Sequence, residues 1–201
     1  HWVQMLDCAS ILTELSENLS LLETTKSDVP KHHRSIQNVF EQTWLRLHAK
    51  EQASFAGTAV FRGSFDLKAV QHILGISFRS LSLLSERSLL QKPKKGRFAM
   101  LQLLHHFASE KFEAFPEREG ILEKHTQYYL GLLSKHQDGF AGQCPQRTQQ
   151  LLLQELDNIR VAWQRATSEP SKWSSLMAKA SEVVQTLESD SQNIGGVLDV
   201  I

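Results

Sequence analysis

The basic side chains of one short segment are the clearest candidates for chemistry in this sequence. Lys92, Lys94, Lys95 and Arg97 place four positive charges within six residues. Such side chains can contact the phosphate backbone of DNA, or they can keep an exposed turn solvated. Specific reading of bases also needs side chains such as Asn or Gln at base edges, and the helical pattern before this segment offers mainly Ser and Leu. The sequence therefore favours a solvated turn, with DNA contact as the alternative.

Histidine and cysteine, the usual ligands of structural metals, have no metal-site spacing here. The nine histidines include adjacent pairs at residues 32–33 and 105–106. Neighbours in a helix point about 100° apart, so a pair does not form a ready site. Cys8 and Cys144 are far apart in sequence and belong to no CxxC motif. We expect no metal in this chain, and two isolated cysteines are typical of a reducing cytoplasm.

Motifs for nucleotide chemistry are also missing from the sequence. It contains no GxxxxGK[ST] phosphate loop, so we expect no cofactor in this chain and no enzymatic activity of its own. The formal net charge is zero, and no apolar run approaches the roughly 20 residues of a membrane span. The start of the chain has neither an initiator Met nor a signal pattern. These features indicate a cytoplasmic segment cut from a longer protein, without a membrane contact.

The basic run must be positioned by the elements around it. Phe78, Leu81 and Leu84 have helical spacing, residues 93–96 have turn chemistry, and a second helical stripe follows from Leu104. Helix, short hairpin and helix form the centre of a winged-helix domain, in which the hairpin is the wing. We predict that this hairpin is the only β-structure in the chain, and that Phe107 packs the helix after it on the helices before it.

The remaining elements are predicted to be helical. Helices are expected from Met5, over residues 36–47 and 49–60, after Pro116, over residues 146–168 and from Trp173, and Asp66 is expected to cap a short helix that Gly75 closes. Trp163 is predicted to be a core residue of the C-terminal helices. The predicted fold class is mainly α, with a winged-helix domain that has one short β-hairpin, followed by antiparallel α-hairpins resembling tetratricopeptide repeats.

Four phrases resemble, in order, the sequence pattern of AfsR-like signalling ATPases, which belong to the STAND class and are related to NB-ARC switches. They are D-V-P-K-H-H-R-S at 28–35, V-F-R-G-S-F at 60–65, L-L-S-E-R-S-L-L at 83–90 and L-D-N-I-R-V-A-W at 156–163. The resemblance runs from about Met5 to Trp163. Ser64 stands where the family has the second glycine of its V-F-x-G-G-F phrase.

The resemblance implies a layout and a role. Residues 1–29 would end a helical lid domain, residues 30–115 would be the winged helix, and residues 116–201 would begin a helical sensor. The chain would be a non-catalytic regulatory segment of a bacterial signal-transduction ATPase or transcriptional regulator. It would pack on a nucleotide-binding domain of the same parent protein, hold the inactive state and bind a protein partner through its helical segment. ATP or ADP and Mg²⁺ would belong to the parent, and DNA would be an unlikely partner.

The family's nucleotide contact corresponds to one position of this chain. Many members have a Met-His-Asp motif after the second wing strand, and its His contacts the ADP phosphate. Here the motif is replaced by Met100, Leu101 and Gln102. Leu101 is thus the candidate cofactor-binding position, but its side chain cannot donate a hydrogen bond, so we expect it not to function as one. A winged-helix DNA-binding module and a helical-repeat interaction scaffold remain alternative functions.

Overall fold

The structure is a computed structural model that describes residues 36–135 and 145–192. The helix predicted from Met5, the histidine pair at 32–33, Cys8 and Cys144 lie outside the described residues. The described part is mainly helical with a small antiparallel sheet, so the predicted mainly α class is confirmed, whereas the winged helix and the tetratricopeptide-like hairpins stay predictions. In chain order the elements are α1 (Ile36–Leu45), α2 (Ala49–Gly57), a 3-10 turn (Thr58–Val60), β1 (Ser64–Asp66), α3 (Leu67–Leu74), α4 (Phe78–Glu86), β2 (Gln91–Lys94), β3 (Arg97–Ala99), α5 (Gln102–Glu113), α6 (Arg118–Lys135), α7 (Pro145–Gln154), α8 (Leu156–Ser168) and α9 (Pro170–Gln192).

Two compact units alternate along the sequence. Of the described residues, the first unit contains 36–59, 78–91 and 100–115, which hold α1, α2, α4 and α5. The second unit contains 60–77, 92–99, 116–135 and 145–192, which hold β1, α3, β3 and α6 to α9. The hairpin residues 92–99 therefore group with the C-terminal helices. The predicted domain boundaries after residues 29 and 115 stay a prediction.

Aromatic side chains form the core of the first unit. The ring of Phe107 on α5 lies 5.7 Å from Phe40, 6.4 Å from Trp44 and 6.4 Å from Phe55, centroid to centroid. These partners lie on α1 and α2. The helical spacing of the apolar residues places them on the inner faces of both helices, where they meet Phe107. The predicted packing of Phe107 is confirmed. Lys111, one turn further along α5, lies 4.9 Å from the Phe107 ring and 2.6 Å from Glu41.

Local cap chemistry fixes both ends of α3. The Asp66 side chain accepts a hydrogen bond from the Ala69 amide at 2.7 Å, which satisfies one of the amides that a helix start leaves unpaired. Gly75 ends the helix in the left-handed region at φ 66° and donates its amide to Gln71. A side chain there would be strained, so glycine is the natural residue. This capped helix is as the sequence predicted.

The sheet has three strands in the order β1-β3-β2, so the prediction that the hairpin is the only β-structure is wrong. β1 pairs antiparallel with β3, with Phe65 opposite Phe98. Three residues are too few to show a strand pattern, and β1 forms because β3 provides the partner. Pro93 lies in β2 rather than in the turn. Proline is tolerated there because β2 is an outer strand, where one side needs no backbone donor.

The C-terminal helices pack against one another in the second unit, where α6 contacts both α8 and α9. The single helix predicted over residues 146–168 is wrong: Glu155 interrupts it and separates α7 from α8. Trp163 is only half-buried, so its prediction as a full core residue is too strong, whereas Trp173 and Tyr129 are buried. Pro170 is the first residue of α9, a position where its missing amide costs no helical hydrogen bond.

Candidate functional site

The four basic residues predicted as a possible phosphate contact divide into two kinds. Lys92, Lys94 and Lys95 are exposed on the hairpin, and they make no ion pair within residues 36–135 and 145–192. Arg97 begins β3, and its side chain is only 11% exposed. The lysines are thus accessible to a partner, while the guanidinium of Arg97 is already used within the second unit.

Arg97 joins the sheet to the break between α7 and α8. Its Nε donates to the Ser64 hydroxyl at 2.9 Å, and one terminal nitrogen donates to the Ser64 carbonyl at 2.7 Å. The same nitrogen donates to the Gln154 carbonyl at 3.1 Å. The other terminal nitrogen forms a direct ion pair with Glu155. A planar guanidinium with several donors can satisfy all of these acceptors at once, which a lysine cannot do.

Glu155 is the buried charge that needs this partner. Its side chain is only 9% exposed, and the Tyr129 hydroxyl lies 3.4 Å from its second oxygen. Burial raises the pKa of Glu155, and the hydrogen bond and charge of Arg97 oppose that rise. Burial lowers the pKa of Arg97, but the hydrogen bond and charge of Glu155 outweigh it, so the pKa of Arg97 is raised. The geometry supports a charged pair, because Arg97 donates directly to the carboxylate.

Asn158, in the first turn of α8, holds the loop before β1. Its side-chain oxygen accepts the Arg62 amide at 2.8 Å, and its side-chain nitrogen donates to the Ser64 carbonyl at 3.2 Å. Between these two points, Gly63 has a φ of 64°, and a Cβ there would lie 2.6 Å from an Asp157 oxygen. Both the positive φ and the close approach favour glycine. We call Ser64, Arg97, Glu155 and Asn158 the Ser64 junction.

A buried histidine lies beside the junction. His125 on α6 packs against Phe61 at 5.8 Å and Tyr129 at 4.7 Å between ring centroids. Burial lowers the pKa of His125 to about 4, against the side chain of Asn158, which raises it. The charge of Arg165 lowers it further. His125 is therefore neutral at pH 7 and belongs to the packed interior rather than to an accessible acid-base site.

Burial and a nearby carboxylate also act on the two tyrosines of α6. Burial raises the pKa of Tyr128 to about 12, with contributions from Asp66 and Glu155. Burial raises the pKa of Tyr129 even further, and the charge of Glu155 adds to this effect. Both hydroxyls therefore keep their protons at neutral pH. The Tyr129 hydroxyl can donate a hydrogen bond to Glu155, and neither hydroxyl can act as a base.

The histidine pair at residues 105–106 engages neighbours on its own helix. The Ser109 hydroxyl lies 3.3 Å from Nδ1 of His105. The Nε2 of His106 lies 3.3 Å from a carboxylate oxygen of Glu110. Within the ranges 36–135 and 145–192, no three His, Cys, Asp or Glu residues form a group that could hold a metal ion.

Leu101, the candidate cofactor-binding position, lies in the first unit at the start of α5. It is the N-cap residue, its side chain makes no capping hydrogen bond and is 49% exposed. Its carbonyl accepts the His105 amide at 2.8 Å, which begins the helix. The position is accessible to a partner, but an aliphatic side chain can offer only apolar contact.

The sequence interpretation missed the residues that organise the junction. It placed Glu155 inside one continuous helix over residues 146–168, and it named Ser64 only as a departure from a family phrase. Asn158 was noticed only as part of a family phrase. A local signal existed for Asn158, because Asn favours helix starts and loop contacts over helix interiors. No local signal distinguishes Glu155 from an exposed helical glutamate, because its partner Arg97 lies 58 residues away.

Comparisons with known proteins add no family to these observations. No protein-family model, curated protein or solved structure matches this chain. Among the described residues, no helix is both long enough and apolar enough to cross a membrane. The chemistry of the Ser64 junction is therefore interpreted from its geometry: its donors and acceptors satisfy one another, which suits a structural connection better than group transfer.

Proposed function

We propose that this chain is a non-catalytic regulatory segment of a bacterial STAND-class signalling ATPase or transcriptional regulator. One observation carries the proposal. Two of the phrases on which the family resemblance rests, at 60–65 and 156–163, contact each other through Asn158 although their hydrogen-bonded residues are 94 and 96 positions apart. Each phrase resembles the family by itself, and the two phrases contact each other in the fold. This contact supports the proposal that both belong to the same family pattern.

The proposed role follows from what the junction connects. Ser64 and Arg97 belong to the sheet, while Glu155 and Asn158 stand at the start of α8. A buried ion pair and several hydrogen bonds join the sheet to the start of α8. A displacement of the C-terminal helices would therefore also displace the hairpin. In the parent protein the helical segment binds a protein partner, and the winged-helix region packs on the nucleotide-binding domain to hold the inactive state in the cytoplasm.

A DNA-binding module is the second candidate, and the exposure of Lys92, Lys94 and Lys95 favours it. Three lysines would supply weak, sequence-independent contact with phosphates at low salt. Arg97 would not contribute, since its guanidinium is held by Glu155 and Ser64. Nanomolar, sequence-selective binding of duplex DNA at physiological salt would replace our first proposal. A helical-repeat scaffold without nucleotide regulation remains the third candidate.

The first test of the proposal is the reading frame that encodes the parent protein. The proposal requires a GxxxxGK[ST] phosphate loop within a few hundred residues upstream, and its absence there would reject the STAND class. The chain itself should bind no ADP with Mg²⁺ in calorimetry, because ATP, ADP and Mg²⁺ belong to the nucleotide-binding domain. A micromolar dissociation constant for the isolated chain would contradict this division of roles.

The second test uses Leu101 in a protein that also carries the nucleotide-binding domain. If this position faces the phosphate, Leu101→His should slow the release of a fluorescent ADP analogue, because imidazole can donate a hydrogen bond. Leu83→His is the matched control, since Leu83 is also an exposed leucine of the first unit. An equal ADP release rate in wild type, variant and control would remove the nucleotide contact from the proposal.

A further inference from the structure

The outer strand β2 leaves one edge of the sheet open. β3 is the middle strand, and all four residues of β2, Gln91–Lys94, are exposed. In the part of the chain that the structure describes, no further strand pairs with β2. An unpaired strand edge is a template for pairing with another chain, and natural proteins protect such edges. The outer edge of β2 must therefore be protected against such pairing, whatever the function of the chain.

The other outer strand, β1, is protected by side chains. The Ser64 carbonyl accepts hydrogen bonds from both Arg97 and Asn158. β1 is also only three residues long and continues directly into α3. A short strand whose carbonyl is already used offers little to a second chain. The two edges of one small sheet thus differ in what covers them.

The sequence of β2 opposes strand addition in two ways. Pro93 has no backbone N–H, so it removes a donor from the strand. Lys92 and Lys94 lie two residues apart and therefore on the same face of the strand. If a second copy paired antiparallel with this edge so that lysines stood opposite lysines, their Cβ atoms would lie about 5 Å apart, inside the Debye length of about 8 Å at physiological salt. Salt would weaken that repulsion but would not remove it.

We infer that Lys92, Pro93 and Lys94 close the outer edge of β2 to strand addition by a second copy of this chain. The inference explains why these exposed lysines make no ion pair among the described residues, while Arg97 on the neighbouring strand is tied to Glu155. A carboxylate partner would cancel the repulsion that protects the edge. The basic run thus has a role that requires no DNA.

The test removes the protection and measures self-association. The variant Lys92→Thr/Pro93→Val/Lys94→Thr restores the missing donor and replaces both charges with a residue that favours strands. Sedimentation velocity over a range of concentrations should show a roughly twofold rise in average mass toward a symmetric dimer. Hydrogen exchange should show new protection at residues 91–94 in the associated form. Circular dichroism shows whether the variant is folded, and Lys92→Gln/Pro93→Thr/Lys94→Gln, which removes the same three residues, replaces it if it is not.

The control keeps the edge and removes the same charge. Lys50→Gln/Lys124→Gln takes two positive charges from exposed helical positions and should sediment as the wild type does. The inference is overturned if a folded edge variant sediments like the wild type. It is also overturned if the control associates equally, or if the wild type already pairs through residues 91–94. Loss of DNA binding by the edge variant without any self-association would assign the lysines to phosphate contact instead.

Discussion

Both units have an apolar interior, and the second unit also buries an ion pair. In the first unit, Phe107 and the three aromatic rings that it contacts form an aromatic cluster. The partly buried side chain of Lys111 lies at the edge of this cluster. In the second unit, an ion pair between Arg97 and Glu155 is buried beside a neutral histidine. Apolar packing tolerates small shifts, whereas a buried ion pair depends on one geometry. The second unit, in which the rings of Phe61 and Phe65 also stack at 4.4 Å, therefore adds one specific polar pair to its apolar packing.

The largest expected effect is on the aromatic cluster. Phe107→Ala should lower the free energy of unfolding by about 3 to 5 kcal/mol, because it removes a buried ring and leaves a cavity between α1, α2 and α5. Urea unfolding followed by circular dichroism measures this. Leu45→Ala is the control, since Leu45 is exposed at the end of α1. A wild-type midpoint for Phe107→Ala would mean that this ring does not support the first unit.

The next effect tests whether the second unit depends on this ion pair in addition to its apolar packing. Arg97→Met should cost about 3 kcal/mol, because it leaves the carboxylate of Glu155 buried without a cation. Arg97→Met/Glu155→Met should cost much less than the sum of the single substitutions, since no lone charge then remains. A double-mutant cycle in urea gives both numbers. Simple additivity would show that the two side chains act independently.

The loss of unfolding free energy at low pH, which is due to His125 in the second unit, should be somewhat smaller than the effect of Arg97→Met. His125 has a pKa of about 4 when folded and about 6.5 when unfolded, so the fold favours its neutral form. The stability that the fold gains from neutral His125 is fully present above pH 6.5 and is lost as the pH falls toward 4. Between pH 7 and 4.5 this loss is about 2 to 3 kcal/mol.

The His125 contribution can be isolated from other acid effects by substitution. His125→Gln removes the titrating group, so its unfolding free energy should fall less between pH 7 and 4.5 than that of the wild type. His72→Gln is the control, because His72 is exposed in the same unit. Asn158, Arg165 and Tyr129 face or influence His125 and remain unchanged in both variants. Parallel pH curves for wild type and His125→Gln would contradict the assignment.

The smallest effect concerns a strained backbone position in the first unit. Ser88 has a φ of 60° after α4, where the Leu89 amide donates to the Leu84 carbonyl and closes the helix. Glycine adopts that φ without strain, so Ser88→Gly should raise the free energy of unfolding by about 1 kcal/mol. Ser82→Gly, inside α4, should lower it by about 0.5 kcal/mol. Thermal melts that move both variants in the same direction would exclude this explanation.

The sequence predicts those parts of the molecule that local chemistry decides. The stripe of Phe107, the cap at Asp66 and the stop at Gly75 depend on residues within a few positions, so their patterns are visible in the chain. β1 and the break at Glu155 depend on partners far away in sequence and leave no local pattern. For the same reason, the sequence could not show that Arg97 differs from the three lysines before it.

We propose that the hairpin strand β3 and helix α8 are stabilised together through the Ser64 junction. Native-state hydrogen exchange of wild type and Glu155→Gln tests it most directly, because glutamine keeps the shape of the side chain and removes its charge. We predict that amides of residues 97–99 and of residues 159–166 lose protection by the same factor in the variant. Faster exchange in α8 alone, with wild-type protection retained in β3, would contradict the claim.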